Sequence, residues 1–280
     1  MRLMGKPFFR FAIHLCLFIS LTTGTQVGGL IYLACLPLFK IINRKYAGYW
    51  KRLTGKTVLF FLTYLITVVT LVPPLAVRLG RVPLPLFGNN NLKPLTLFTC
   101  LLNRHYVKPE LRASLERVAD QLQKQYPGTS ISYLDANFPF INKFPLFPHL
   151  SHNDGKKVDL AFFYTQKGIE LNGVCPSPIG YGVYEGPARN EFDQPSVCAA
   201  QGYRQYGLLE KLVPQSKKGQ MPFDSARTRT LVNMLAGEPF IGKIFIEPHL
   251  KTRLNLHSTK IRFHGCQAVR HDDHVHVQLR

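Results

Sequence analysis

The sequence predicts an α+β domain, a small and mainly antiparallel sheet with flanking helices, preceded by two transmembrane helices. Three observations carry this reading. Residues 11–39 and 57–77 contain no Lys, Arg, Asp or Glu, and each run can cross the roughly 30 Å hydrocarbon core of a bilayer. Beyond residue 105, helix-period and strand-period patterns mix without a regular βαβ alternation. Finally, His274-Val275-His276-Val277-Gln278-Leu279 alternates with period two, which gives a strand one polar and one apolar face.

Residues 1–80 read as the membrane anchor. The first 56 residues hold nine Lys/Arg and no acidic side chain, whereas the remainder holds 26 basic and 16 acidic ones. The first apolar run is too long for the h-region of a cleaved signal peptide, and the second would tether the chain in any case. Thr22-Thr23-Gly24-Thr25-Gln26 interrupts the first run and marks where it would kink or break. Lys40, Arg44, Lys45, Lys51, Arg52 and Lys56 between the spans outnumber Arg2, Lys6 and Arg10 before them. The positive-inside bias therefore predicts a cytoplasmic connecting loop with both termini outside. The expected location is the inner (cytoplasmic) membrane, with the C-terminal domain on its outer, periplasmic face.

Residues 81–104 read as a linker, because Val82-Pro83-Leu84-Pro85, Gly88 and Asn89-Asn90-Asn91 are turn-forming. Pro109-Glu110 opens an amphipathic helix whose stripe is Leu111, Leu115, Val118, Ala119 and Leu122, and Pro127-Gly128 ends it. Residues 129–134 form a strand, followed by an aromatic, proline-rich loop from Phe138 to Pro148. Residues 157–164 give the strongest strand pattern. The Gly-rich run 168–186 is a long loop and a candidate lid. Helices are expected over 199–212, 224–235 and 248–256, with strands over 243–247 and 260–263. Cys100, Cys175, Cys198 and Cys266 can form two disulfides in any of three pairings. No nucleotide-binding glycine fingerprint and no nucleic-acid motif is present. The net charge of +19 is explained in good part by the membrane-flanking segment, so neither a nucleotide cofactor nor nucleic acid is an expected partner.

The chemistry concentrates in two stretches. His274 and His276 share a strand face beside His271, Asp272 and Asp273, and imidazoles with carboxylates are the material of a zinc site. A His-x-His pair alone is a frequent accident, as are a His and an Asp seven apart. The second stretch, Ser151-His152-Asn153-Asp154-Gly155-Lys156-Lys157-Val158-Asp159, makes the combination informative. Its glycine-containing turn lets His152 in the loop and Asp159 on the strand reach one ion. With one histidine of the terminal pair they make a three-ligand set that leaves a position for water.

These two stretches, with the weaker Lys243-Ile244-Phe245-Ile246-Glu247-Pro248-His249-Leu250-Lys251, resemble the penicillin-insensitive murein endopeptidases. That family belongs to the grouping of lysostaphin, D-alanyl-D-alanine peptidases and the Hedgehog fold. The resemblance covers about residues 105–280 and leaves the membrane segments outside it. It implies a Hedgehog/D-Ala-D-Ala peptidase-like fold and a Zn2+ ion held by His152, Asp159 and His276. It further implies that His274 holds the attacking water or the oxyanion, with His271 a second candidate for proton transfer. Asp273 stands where the D-alanyl-D-alanine dipeptidase branch has its Glu base, but is one methylene shorter. Either Asp272 or Asp273 is suited to orient a histidine. His149 lacks the family spacing to Asp159 and is not expected to be a ligand. The implied substrate is an amide bond in peptidoglycan peptide stems or crosslinks, and the implied partners are peptidoglycan and the lipid bilayer. A D-alanyl-D-alanine carboxypeptidase or dipeptidase, and a non-catalytic wall-binding membrane protein, are the alternatives.

Overall fold

The structure is a computed structural model that describes residues 7–87, 91–203 and 208–280. Gly88 to Asn90 of the predicted linker and residues 204–207 of the predicted helix over 199–212 lie outside the described residues, as do Arg2 and Lys6.

The first apolar run does not form one span. It makes two helices, α1 (Pro7–Thr25) and α2 (Gly28–Lys45), folded back on each other at Gln26, which adopts φ 66°. Two glycines permit the close return: a Cβ on Gly29 would stand 2.6 Å from the Phe18 carbonyl oxygen. Further along the hairpin, His14 Nδ1 meets the Tyr32 hydroxyl at 2.6 Å. Helix α3 (Tyr49–Thr70) then runs antiparallel to α2, with Ile42 against Gly55 and Tyr32 against Phe60. A short α4 (Val72–Arg78) follows. Two stretches, Pro7–Thr25 and Tyr49–Arg78, are long and apolar enough to cross a membrane. Their apolar side chains face outward rather than into the protein, as Phe11, Ile66 and Val69 illustrate at 63, 63 and 69 % exposure.

The hairpin gives the anchor two unlike ends. One end carries Arg10, Lys40, Arg44, Lys45, Lys51, Arg52 and Lys56 within about two helical turns of the α2–α3 connection or the start of α1. The other, the tip between Thr25 and Gly28 with the close of α3, packs on the rest of the chain. Asn103 donates to the Thr25 carbonyl at 3.3 Å, and the Tyr64 hydroxyl donates to the Leu101 carbonyl at 2.6 Å. A single span over residues 11–39 would place the start of α1 at the domain end; the turn at Gln26 places it at the opposite one.

The remaining elements are β1 (Val82–Pro83), β2 (Leu92–Pro94), α5 (Leu97–Leu101), β3 (Tyr106–Val107), α6 (Pro109–Gln125), β4 (Ile131–Tyr133) and β5 (Lys157–Ala161). They continue with β6 (Thr165–Gln166), β7 (Ile169–Glu170), α7 (Gln194–Ala200), α8 (Leu208–Leu212) and α9 (Ser225–Gly237). The last are β8 (Ile241–Phe245), α10 (Pro248–Arg253), β9 (Ile261–Arg262) and β10 (His274–Leu279). The architecture is α+β. Six strands form the main sheet in the order β2-β4-β5-β10-β8-β9. Its three central pairings are antiparallel and both edge pairs, β2–β4 and β8–β9, are parallel, so the sheet is mixed with antiparallel pairing in the majority.

Residues 81–104 are not a linker. Leu84, Leu92 and Cys100 are buried in the core, β2 forms a sheet edge and β1 pairs with β3. The prolines that suggest a linker punctuate short elements whose leucines belong to the interior. Helix α6 follows its sequence pattern: Pro109 opens it, and Leu111, Leu115, Val118, Ala119 and Leu122 are all buried against the sheet. The helix expected over 199–212 is replaced by α7, which Asp193 caps, and α8; Gly202, at φ 88°, lies between them. Strand β5 ends at Ala161, three residues early. Phe162, Phe163 and Tyr164 remain buried by packing, with the Arg227 guanidinium 4.8 Å from the Phe163 ring.

One disulfide forms, Cys198–Cys266, closing 68 residues and fastening α7 to the segment before β10. Cys100 and Cys175 are free, so the second predicted bridge is absent among the described residues.

Candidate metal centre

Strands β5 and β10 pair antiparallel in a register that sets His276 opposite Asp159 and His274 opposite Ala161. Because side chains alternate, Val158, Leu160, Val275 and Val277 enter the core beside α6 and α9. Asp159, His274 and His276 share the other face. The loop from residue 134 to 156 delivers His149 and His152 onto that face. It turns at Gly155, in a left-handed conformation (φ 81°) that suits glycine.

Asp159 is the hub. It is fully buried, and its Oδ1 lies 2.9 Å from His276 Nδ1, 3.3 Å from His152 Nε2 and 3.6 Å from His274 Nε2. Its Oδ2 accepts from the Tyr181 hydroxyl at 2.9 Å and stands 3.2 Å from His149 Nδ1. His152 Nε2 and His276 Nδ1 are 3.1 Å apart. The three sequence-selected donor atoms are therefore mutually within 3.3 Å. Donors around a tetrahedral zinc with bonds of about 2.1 Å stand about 3.4 Å apart, so the spacing fits such an ion. The donor chemistry fits as well. His152 Nδ1 meets the Ala136 carbonyl at 2.8 Å, which leaves Nε2 to face the cluster. A carboxylate buried among imidazoles calls for a cation.

His149 belongs to the same cluster. His149, His152 and Asp159 form a buried group whose ligand atoms all lie within 4.8 Å of one another and which could hold a metal ion. The spacing argument that sets His149 aside is overturned, because the turn that joins His149 to His152, with His152 N–H on the His149 carbonyl at 2.9 Å, brings both rings inward.

His271 lies beside these donors, its ring 5.0 Å from His274 and 5.6 Å from His276. His264 joins it at 5.3 Å and stacks on Phe245 at 4.1 Å. Six of the ten histidines of the chain thus share one site. A cleft of about 550 Å³ opens onto it, lined by His149, Ser151, His264, His271 and His276 among others. His264 carries no periodic or spacing signal. Tyr181 carries a weak one, in flanking Gly180 and Gly182 at φ 83° and 84°. A side chain at Gly180 would collide with Leu134, so the backbone there runs close against the apolar cluster that Leu134 shares with Tyr181.

The two acidic residues before β10 diverge. Asp272 accepts from Arg270 Nε and Nη2 at 2.9 and 2.6 Å, a structural pair. Asp273 joins His274 Nδ1 by a very short bond and accepts from the Gly182 N–H at 2.6 Å. Asp273 therefore orients His274, and both its oxygens are engaged.

The electrostatics follow these neighbours. Burial alone would lower His274, but Asp159 and Asp273 outweigh it and raise it to about 9. Burial lowers His276 to about 3 despite Asp159, and holds His271 well below the ordinary value, with His274 and His276 adding to the effect. Burial pushes Asp159 upward, yet His152 and His274 hold it well below the usual carboxylate range.

No protein-family model matches the chain, and no curated protein matches it.

Proposed function

We propose that the chain is a membrane-anchored zinc peptidase that hydrolyses amide bonds in the peptide stems or crosslinks of peptidoglycan. The observation that carries this is the meeting of His152, Asp159 and His276 within 3.3 Å beside a histidine that a carboxylate orients. The residues that would hold the ion are His152, Asp159 and His276, with His149 against the second oxygen of Asp159. Zinc bound there supplies a Lewis acid and brings a water toward a pKa of about 7.

The other roles belong to the chain. Asp273 fixes the His274 ring by its Nδ1, and the buried Nε2, which has no hydrogen-bond partner among the described residues, is the atom that exchanges a proton with the reacting groups. His271, facing the cleft beside His274, is the second group placed to take a proton and pass it to the leaving amine. Such transfers contribute about 10²–10⁴-fold. Asp273 is the orienting group rather than the base.

The anchor supports an outward-facing domain. Every basic residue of the described anchor up to Lys56 lies at the end away from the domain, and residues 1–56 contain no acid. The positive-inside rule then sets the start of α1 and the α2–α3 connection in the cytoplasm and the domain outside. The Cys198–Cys266 bridge suits that oxidising side.

The test uses the full chain in detergent micelles. Metal analysis finds one zinc per chain, and digestion of crosslinked sacculi releases muropeptides whose composition names the bond cut. Release of terminal D-alanine alone would instead indicate a carboxypeptidase. A protein that binds zinc but leaves every muropeptide intact would end the peptidase reading.

A further inference from the structure

The loop that brings His149 and His152 to the site is held from outside its own sheet. Arg81, just beyond α4, is buried at 1 % exposure. Its Nη1 donates to the Phe138 carbonyl and its Nη2 to Asn142 Oδ1 at 2.5 Å. The Arg81 stem lies beneath Gly155, where a Cβ would stand 3.1 Å from Arg81 Nε. From the tip of the α1–α2 hairpin, Gln26 Oε1 accepts from the Phe140 N–H at 2.8 Å and the Ile141 N–H at 3.3 Å. Four of the five residues from 138 to 142 are thus gripped by the anchor or by the residue that follows it.

Two short routes lead from these contacts to His152. Phe138 is two residues from Ala136, whose carbonyl faces His152 Nδ1 at 2.8 Å. Asn142 precedes Lys143, whose N–H donates to the carbonyl of Asn153, the neighbour of His152, at 2.7 Å. Both routes end on the residue that donates to the cluster.

We propose that the membrane anchor is part of the scaffold of the metal centre, with Gln26 and Arg81 as positioning residues that hold residues 138–155 so that His152 stays in range of Asp159 and His276. The inference rests on the metal reading above. It makes the anchor more than a tether: removing residues 1–80 would take away Gln26 and the α4 carbonyl of Ala76 that holds the Arg81 backbone. Groups that fix a ligand from behind typically change metal affinity by about 10–100-fold.

The experiment titrates the full chain in micelles with CoCl2 against a competing chelator and records the visible d–d absorption of the cobalt form. Gln26→Ala and Arg81→Ala are expected to weaken cobalt binding by about tenfold or more and to alter the band, while Arg81→Lys, which keeps one donor, recovers part of both. Tyr64→Phe is the control: it removes two anchor–domain hydrogen bonds, to the Leu101 carbonyl at 2.6 Å and from Asn103 Nδ2 at 3.2 Å, neither of which touches the loop, and it should leave affinity and band unchanged. Wild-type affinity and band in Gln26→Ala and Arg81→Ala overturn the inference, as does an equal loss in Tyr64→Phe. Should Arg81→Ala fail to fold, Gln26→Ala and Arg81→Lys decide. A wild-type chain that takes up no cobalt defeats the metal reading itself, a result distinct from variants that match a wild type that binds.

Discussion

The two faces of the β5–β10 pair obey opposite rules. Val158, Leu160, Val275 and Val277 meet α6 and α9, where volume and shape decide what fits. One residue along each strand, Asp159, His274 and His276 meet loops, and there only the position and charge of donor atoms matter. Both faces are almost fully buried, so burial alone does not distinguish a packing face from a chemical one. What distinguishes them is the partner of each polar atom. On the chemical face one carboxylate is shared among four imidazoles and a phenol, a crowding that packing has no reason to produce.

The comparison breaks most sharply at Asp159. Asp159→Asn should abolish zinc retention and reduce muropeptide release to background, because it removes the carboxylate on which the imidazoles converge; metal analysis and digestion of sacculi read this. Next is His274→Ala, expected to lower kcat by about 10²–10⁴-fold while metal content stays at the wild-type level, with Asp273→Asn giving a smaller loss of the same kind. On the apolar face, Leu160→Ala should cost about 2–5 kcal/mol of stability, seen in denaturant unfolding, yet bind metal normally below its unfolding transition. Loss of metal there at full fold would mean the two faces are not separable.

The smallest effect concerns pH. His105 is buried, and burial lowers it to about 3, the reverse of carboxylate-flanked His274. Its folded value lies below its unfolded value near 6.5. The unfolded chain therefore binds more protons between about pH 3 and 6.5. The contribution of His105 is complete above about pH 6.5 and is lost as the pH falls, by at most about 1.4 kcal/mol per pH unit. Unfolding midpoints of wild type and His105→Phe at pH 7 and pH 5 check this, and the variant should show the shallower slope.

The legible parts of the molecule were those set by local rules. Strand alternation placed His274 and His276 on the face opposite Val275 and Val277, and helix periodicity with a proline start defined α6. Spacing to Asp159 singled out His152. Illegible were the features that depend on distant partners. His264 reaches the site only because Phe245, on β8, offers its ring. His149 turns inward because the turn closed by the His152 N–H on its carbonyl carries both rings to the cluster. The leucines of residues 81–104 became core because β4 offered an edge for β2. The break at Gln26 was visible as a polar interruption, but not its sense, which needed Gly28 and Gly29 to admit the backbone of α1. The pairing of Cys198 with Cys266 likewise depended on where α7 came to rest.

Asp159 and His276 are 117 positions apart along the chain, yet they face each other on neighbouring central strands. Until β10 docks, a folding molecule lacks both the middle of its sheet and the His276 donor. Pairings this remote close late, so the donor cluster and the interior are completed together. If the centre acts as proposed, its chemistry would begin only once the sheet has closed.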